Sequence, residues 1–218
     1  MISIEAKAVL LDMDGTLVES THNVELIWTQ WCRDNGIPPE RVLAICHGVR
    51  SRDIIRQVAP HLDLERHIAL LDELEISHFA GVSALPGAAG FLRDIGPLPW
   101  AVVTSASRRV ALHKLAACGL RVPAILIGSQ DVVLGKPDAE PYLLAARRLG
   151  IDPGDCLVFE DAPAGIASAL AAGCRAVQVG GEQACYGAVE GIIQSWRQIS
   201  VASLADGAIR LALSPPAG

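Results

Sequence analysis

Two acidic doublets are the residues whose types and spacing could do chemistry. Asp12 and Asp14 lie two apart in Asp12-Met13-Asp14-Gly15-Thr16. On extended backbone both carboxylates therefore share a face while Met13 packs away from it. Close carboxylates repel, and water or a cation must relieve this. Glu160-Asp161 adds a second doublet, giving an oxygen-rich pocket suited to a hard ion; magnesium would keep waters and take a phosphoryl oxygen as a further ligand. Thr104-Ser105 offers hydroxyls and backbone N–H groups ahead of a helix, and either hydroxyl could face phosphate. Lys136 in Gly135-Lys136-Pro137 supplies a compact cation. A phosphoryl group in flight spreads negative charge over its equatorial oxygens, which a lysine, hydroxyls, N–H donors and a divalent ion would stabilise. Asp12 would then attack phosphorus in line.

The elements that must position these groups are legible as short apolar runs closed by polar residues. Ala8–Leu11, Ala101–Thr104, Ala124–Ile127, Cys156–Phe159 and Arg175–Val179 read as strands buried on both faces. Helical patterns separate them over Ala88–Ile95, Arg108–Cys118, Ala139–Leu149 and Ala164–Ala172. Gly119, Gly150 and Gly173 follow the periodicity where a left-handed cap is needed. The alternation predicts a doubly wound α/β fold with a parallel sheet, whose ligands bind beyond the carboxyl ends of the strands. Asp12, Thr104, Lys136 and Glu160 close the runs in that order.

One region breaks the alternation. Between Val18 and Ser83 only helical patterns occur, over Asn23–Asn35, Glu40–Cys46, Asp53–Ala59 and Leu64–Phe79. The sequence thus predicts an α/β core from residues 1–18 and 84–218 and an inserted helical cap from residues 19–83, seated above the site. His47 and Arg50 flank the break at Gly48 and are candidate substrate-binding residues together with Ser105. His22, His61, His67, His78 and His113 sit on helical patterns and read as surface or cap residues. Trp28 and Trp31, at helical spacing, read as cap core. The stretch after Gly181 carries no clear pattern.

With 218 residues, 51% hydrophobic content and a net charge of -6, the chain can bury a large core and shows no basic stripe. A nucleic-acid groove and an anionic membrane surface are poor partners for it; a small phosphorylated metabolite is a better one. The start lacks a basic segment followed by an apolar core, and no apolar run reaches membrane-spanning length, so a cytoplasmic enzyme is expected, monomeric or weakly dimeric. Six cysteines without a Cys-x-x-Cys pair read as buried reduced thiols.

DMDGT, VVTSAS, GKPDAEPY and FEDAPAGIASALAAG resemble the four ordered motifs of the haloacid dehalogenase-like hydrolase superfamily, over nearly the whole chain. The helical insert resembles the small cap of its first subfamily. The resemblance implies a Rossmann-like core, an aspartyl-phosphate on Asp12, acid and base work by Asp14, and magnesium held by Asp12, the main-chain carbonyl of Asp14 and Asp161, with Glu160 beside them. HGVRSRD and APAGI are similar to bacterial sugar phosphatases and to yeast 2-deoxyglucose-6-phosphate and glycerol phosphatases, which implies a sugar or polyol phosphate as substrate. β-Phosphoglucomutase is similar as well, but the spacing of its cap histidine lands on Val24, with His22 offset. A non-enzymatic phosphoacceptor switch would share the aspartate, hydroxyl, lysine and magnesium, yet would need neither Asp14 nor a lid. A carbon-centred dehalogenase would not need Asp14 either.

Overall fold

The computed structural model describes residues 2–96, 98–181, 183–185, 187–204 and 207–214. The chain opens with β1 (Ile2–Ala6) and β2 (Ala8–Leu11), turns through the Asp12–Thr16 loop into β3 (Val18–Glu19), and enters four helices, α1 (Thr21–Asp34), α2 (Pro39–Leu43), α3 (Ser51–Val58) and α4 (Leu64–Ser77). It returns through β4 (Ser83–Ala84) to α5 (Ala88–Asp94), β5 (Trp100–Val103), α6 (Arg108–Ala117), β6 (Ile125–Ile127) and α7 (Glu140–Leu149). Then follow β7 (Cys156–Glu160), α8 (Pro163–Ala171), β8 (Arg175–Val179), β9 (Gly191–Ile193), β10 (Ile199–Ser203) and β11 (Ile209–Leu213).

A six-stranded parallel sheet in the order β6-β5-β2-β7-β8-β9 organises the core. Every residue of β2 is buried, because both faces of the sheet are covered. Val9, Leu11, Val102 and Phe159 pack under α5 and α6 on one face, while Ala8, Leu10, Ala101 and Val158 pack under α7 and α8 on the other. This is the doubly wound arrangement, and the unbroken apolar character of β2 and β5 is its direct cause. Leu11 is level with Val102 of β5 and Phe159 of β7, so the polar residues that follow these strands emerge along one edge. Gly119, Gly150 and Gly173 all take positive φ after their helices, as the sequence pattern predicts.

The helical insert has its own core of Trp28, Trp31, Cys32, Ile54, Ile55 and Leu71. The Trp28 and Trp31 rings meet edge to face at 5.3 Å, matching their reading as cap core. Where the chain leaves and re-enters the sheet domain, β3 and β4 pair antiparallel, with Val18 opposite Ala84 and Glu19 opposite Ser83.

Both ends of the chain depart from the sequence reading, which assigned them no element. β1, β11 and β10 form a separate antiparallel sheet, and β9 extends the parallel one. Alternation in β11 buries Ile209, Leu211 and Leu213, a half-buried pattern that short strands carry weakly. Trp196, just ahead of β10, stacks on Phe91 at 4.3 Å and Phe159 at 4.9 Å. Its indole N–H donates to the carbonyl of Thr16 at 2.8 Å, so the tail braces the loop that carries Asp12 and Asp14. Cys32, Cys46, Cys156 and Cys174 are buried and free, but Cys118 is half-buried and Cys185 is exposed, which corrects the expectation of uniformly buried thiols. Among the described residues no helix is long and apolar enough to cross a membrane.

Candidate active site

β2 ends at Asp12, whose backbone N–H still joins the sheet by donating to Phe159 O at 3.0 Å. Beyond it the chain must turn sharply, and Gly15 does so at φ +80°. A Cβ there would also overlap the Asp161 carboxylate, so glycine both permits the turn and admits the second doublet. Met13 is fully buried and packs away from the carboxylates, as the two-residue period requires.

Lys136 binds the two doublets together. Its ammonium lies 2.6 Å from Asp12 Oδ1 and 2.5 Å from Glu160 Oε1, and it also donates to Val103 O at 3.0 Å. Tyr142 of α7 donates to Glu160 Oε1 at 2.9 Å, and the N–H of Ala162 donates to Oε2 at 3.2 Å. Both Glu160 oxygens thus hold donors, and the side chain is fully buried. Glu160 thus seats Lys136 while lying in the same carboxylate cluster as Asp12 and Asp161. Gly165 makes room for it, since a Cβ there would fall within the Glu160 carboxylate. Burial pushes the Asp12 carboxyl well above its ordinary range, and Glu160 adds to this while Lys136 opposes it. Burial and then the Glu160 charge raise Asp161 to about 7, against Lys136 and a hydrogen bond from Thr16.

Oxygens of Asp12, Glu160 and Asp161 all come within 4.8 Å of one another. One ammonium among three carboxylates leaves an excess of negative charge, which adds to burial in pushing the Asp12 and Asp161 carboxyls toward their neutral forms. A hard divalent cation fits such a set of carboxylates.

Asp14 projects from the same loop beneath the cap. A cavity of about 60 Å³ between core and cap is lined by Asp12, Asp14 and Asp161 from below, by Thr104 and Ser105 from the end of β5, and by His47 from the cap. Thr104 Oγ1 accepts from the N–H of Ala106 at 3.1 Å, capping its turn, whereas Ser105 Oγ donates to the carbonyl of Gly48 at 2.7 Å. Gly48, at φ +72°, brings the cap backbone so near that a Cβ would press on Ala162. His47 reaches the cavity and pairs with Glu25 at 3.1 Å. Arg50 does not line this cavity but borders two neighbouring clefts, one with Lys136 and one with Ser105 and Glu75. Its buried guanidinium grips Asp53 and donates to the carbonyls of Ser129, Val132 and Val133 in the core. Gly135 leaves the space for that side chain. It latches cap to core.

Two functional-site residues escaped the sequence reading. Lys114 of α6, fully buried, lies 2.6 Å from Asp14 Oδ1 and 2.6 Å from Glu75 Oε2 of α4. Lys114 left a signal of its own, though not of its partner: it occupies the apolar face of α6 with Val110, Ala111 and Leu115, and a charged residue on such a stripe needs a buried partner.

Residues 6–173 match the family described as haloacid dehalogenase-like hydrolase. The chain belongs to that family. It is 36% identical over 211 residues to hexitol phosphatase A of Escherichia coli, covering 94% of this chain and 98% of that one. It is 34% identical over 190 residues to glycerol-1-phosphate phosphohydrolase 2 of Saccharomyces cerevisiae, covering 82% and 76%. In fold it is similar to CbbY of Rhodobacter sphaeroides, solved in complex with phosphate, with a TM-score of 0.76 at 21% identity over 88% of this chain and 95% of that one. Like these curated haloacid dehalogenase-like relatives, this chain is a phosphoric monoester hydrolase.

Proposed function

We propose that the protein is a magnesium-dependent phosphatase of small sugar or polyol phosphates that works through an aspartyl-phosphate on Asp12. The observation that carries this reading is the buried Asp12 carboxylate, held on one oxygen by Lys136 and without a donor on the other among the described residues, facing a cap-covered cavity beside Asp14. Relatives similar over most of their length are named for hexitol and glycerol-1-phosphate hydrolysis, which supports the substrate class.

In this reading Asp12 Oδ2 attacks phosphorus while Asp14 gives a proton to the departing ester oxygen, releasing the alcohol. Asp14 then takes a proton from a water that attacks the same phosphorus, freeing Asp12 and inorganic phosphate. Lys136 and the hydroxyl and N–H donors of Thr104 and Ser105 meet the charge that builds on the phosphoryl oxygens. A magnesium ion held by Asp12, Asp161 and the main-chain carbonyl of Asp14 would add positive charge where those oxygens gather. The cap excludes bulk water from the cavity. Val24 lines the cavity at the position to which the mutase histidine spacing points, which favours hydrolysis over phosphoryl return.

Phosphate release from a panel of hexitol, hexose, glycerol and aromatic phosphates, assayed with magnesium, tests the proposal. Turnover concentrated on the polyol and sugar esters is the expected result. Stable labelling of Asp12 by acetyl phosphate without turnover would instead make the protein a phosphoacceptor switch.

A further inference from the structure

Asp14 is held on one side only. Its Oδ1 accepts from Ser20 Oγ at 2.5 Å and from Lys114 Nζ at 2.6 Å, whereas no donor to Oδ2 is found among the described residues. Lys114 reaches it from the last turn of α6, a hundred residues along the chain, through a side chain with no exposed surface. The other partner of that ammonium is Glu75 on α4 of the cap, at 2.6 Å. Glu75 is itself largely buried and lines the cavity. A lysine placed in such surroundings is costly unless paired and would otherwise be replaced readily by an apolar residue.

We propose that Lys114, tethered by Glu75 of the cap, is a positioning residue that fixes the Asp14 carboxylate so that Oδ2 is the oxygen exchanging a proton with the ester. The inference rests on the phosphatase reading above and deepens it. Two donors saturate Oδ1, one of them cationic, so a proton carried by Asp14 resides on Oδ2. Without Lys114 the carboxylate rotates about χ2, and either oxygen takes the proton in a geometry unrelated to the leaving group. Glu75 belongs to the cap and Lys114 to the core, so the ammonium sits correctly only while the cap is seated. Proton delivery is thereby tied to closure.

The test compares Lys114→Met, Glu75→Gln and Lys114→Arg with wild type on two esters, a polyol phosphate with a basic alkoxide leaving group and p-nitrophenyl phosphate, whose phenolate needs little protonation. Circular dichroism first establishes that each variant is folded; methionine suits the buried site, and Glu75→Gln leaves Lys114 in place should Lys114→Met not fold. Lys114→Met should lower kcat on the polyol phosphate by about tenfold to a hundredfold, within the range of general acid catalysis. Its kcat on the aromatic ester should change by less than about threefold, with KM for both esters nearly constant. Glu75→Gln should show the same bias at smaller amplitude, and Lys114→Arg should restore part of the polyol rate. Equal losses on the two esters, or no loss on the polyol phosphate, would overturn the inference while leaving the phosphatase intact. A wild type inert on every ester would overturn the phosphatase reading and this inference with it.

Discussion

Lys136→Met removes the one ammonium that Asp12 and Glu160 share, and the structure lets its cost be worked out. All three side chains are at most 6% exposed, and the two contacts measure 2.6 and 2.5 Å. Breaking a buried pair by deleting one partner costs about 3–5 kcal/mol, because the remaining charge is left uncompensated. For a chain of this size each kcal/mol moves the melting temperature by about 2–4 °C, so the metal-free variant should melt about 6–20 °C below the metal-free wild type. Magnesium should narrow the gap, since a divalent ion beside Asp12 answers part of the same excess charge. The assay is a thermal melt of both proteins with chelator and with magnesium, followed by circular dichroism. Turnover should be lost in both conditions, as neither restores the cation that meets the phosphoryl oxygens. A metal-free variant melting within about 1 °C of wild type would refute the reasoning, because such a shift corresponds to well under 1 kcal/mol.

Asp12→Asn should abolish turnover and leave the fold intact, which phosphate release and circular dichroism together would check; wild-type turnover would exclude Asp12 as nucleophile. Gly165→Ala should press on Glu160, destabilise by about 1–3 kcal/mol as overpacking does, and lower kcat through a displaced Lys136. Unchanged kinetics would contradict that seat. Arg50→Ala should cost about 1.5–3 kcal/mol by removing charged hydrogen bonds and should slow large and small esters alike; a loss confined to sugar phosphates would return Arg50 to substrate recognition. The Asp161 carboxyl, raised to about 7 in the folded chain from an ordinary 3.8, binds protons more tightly folded than unfolded. Its contribution is therefore fully present below about pH 4 and lost as pH rises toward 7. Magnesium should thus raise the melting temperature more at pH 8 than at pH 5, and activity should vanish with chelator. Calcium should inhibit, because its longer bonds and higher coordination tie up the Asp12 oxygen that must attack.

Much of the core was legible because a parallel sheet buried on both faces writes itself as unbroken apolar runs. β2, β5, β7 and β8 fall within a residue of their sequence-derived limits, and Asp12, Thr104 and Glu160 follow from where those runs end. Lys136, read from the sequence as closing a run, instead lies in the loop between β6 and α7; its lasting signal was a compact cation between Gly135 and Pro137. The tail was opaque because β9 has three residues and β10 exposes most of its side chains, so neither leaves a period. The contacts of Arg50 with the carbonyls of Ser129, Val132 and Val133 were not legible, because a glycine break signals close approach to the core but not which part of it. Glu75 and Lys114 depend on two helices from different parts of the chain meeting over Asp14, a juxtaposition that no local pattern encodes.

The pairing of β1 with β11 bears on how the molecule is made. Ile2 lies opposite Leu213 and Ala6 opposite Ile209, so one strand waits for a partner some two hundred residues downstream. At ribosomal speeds of about 5–20 residues per second, that wait is about 10–40 s. During it the helical insert, whose contacts are local, has time to collapse, while β1 keeps an apolar edge open to chaperones and to neighbouring nascent chains. Trp196 also emerges in this late segment, so the loop bearing the nucleophile gains its brace only after nearly two hundred residues have been made. A pulse-labelled chain arrested before Trp196 should therefore carry a protease-resistant insert and a protease-sensitive catalytic loop.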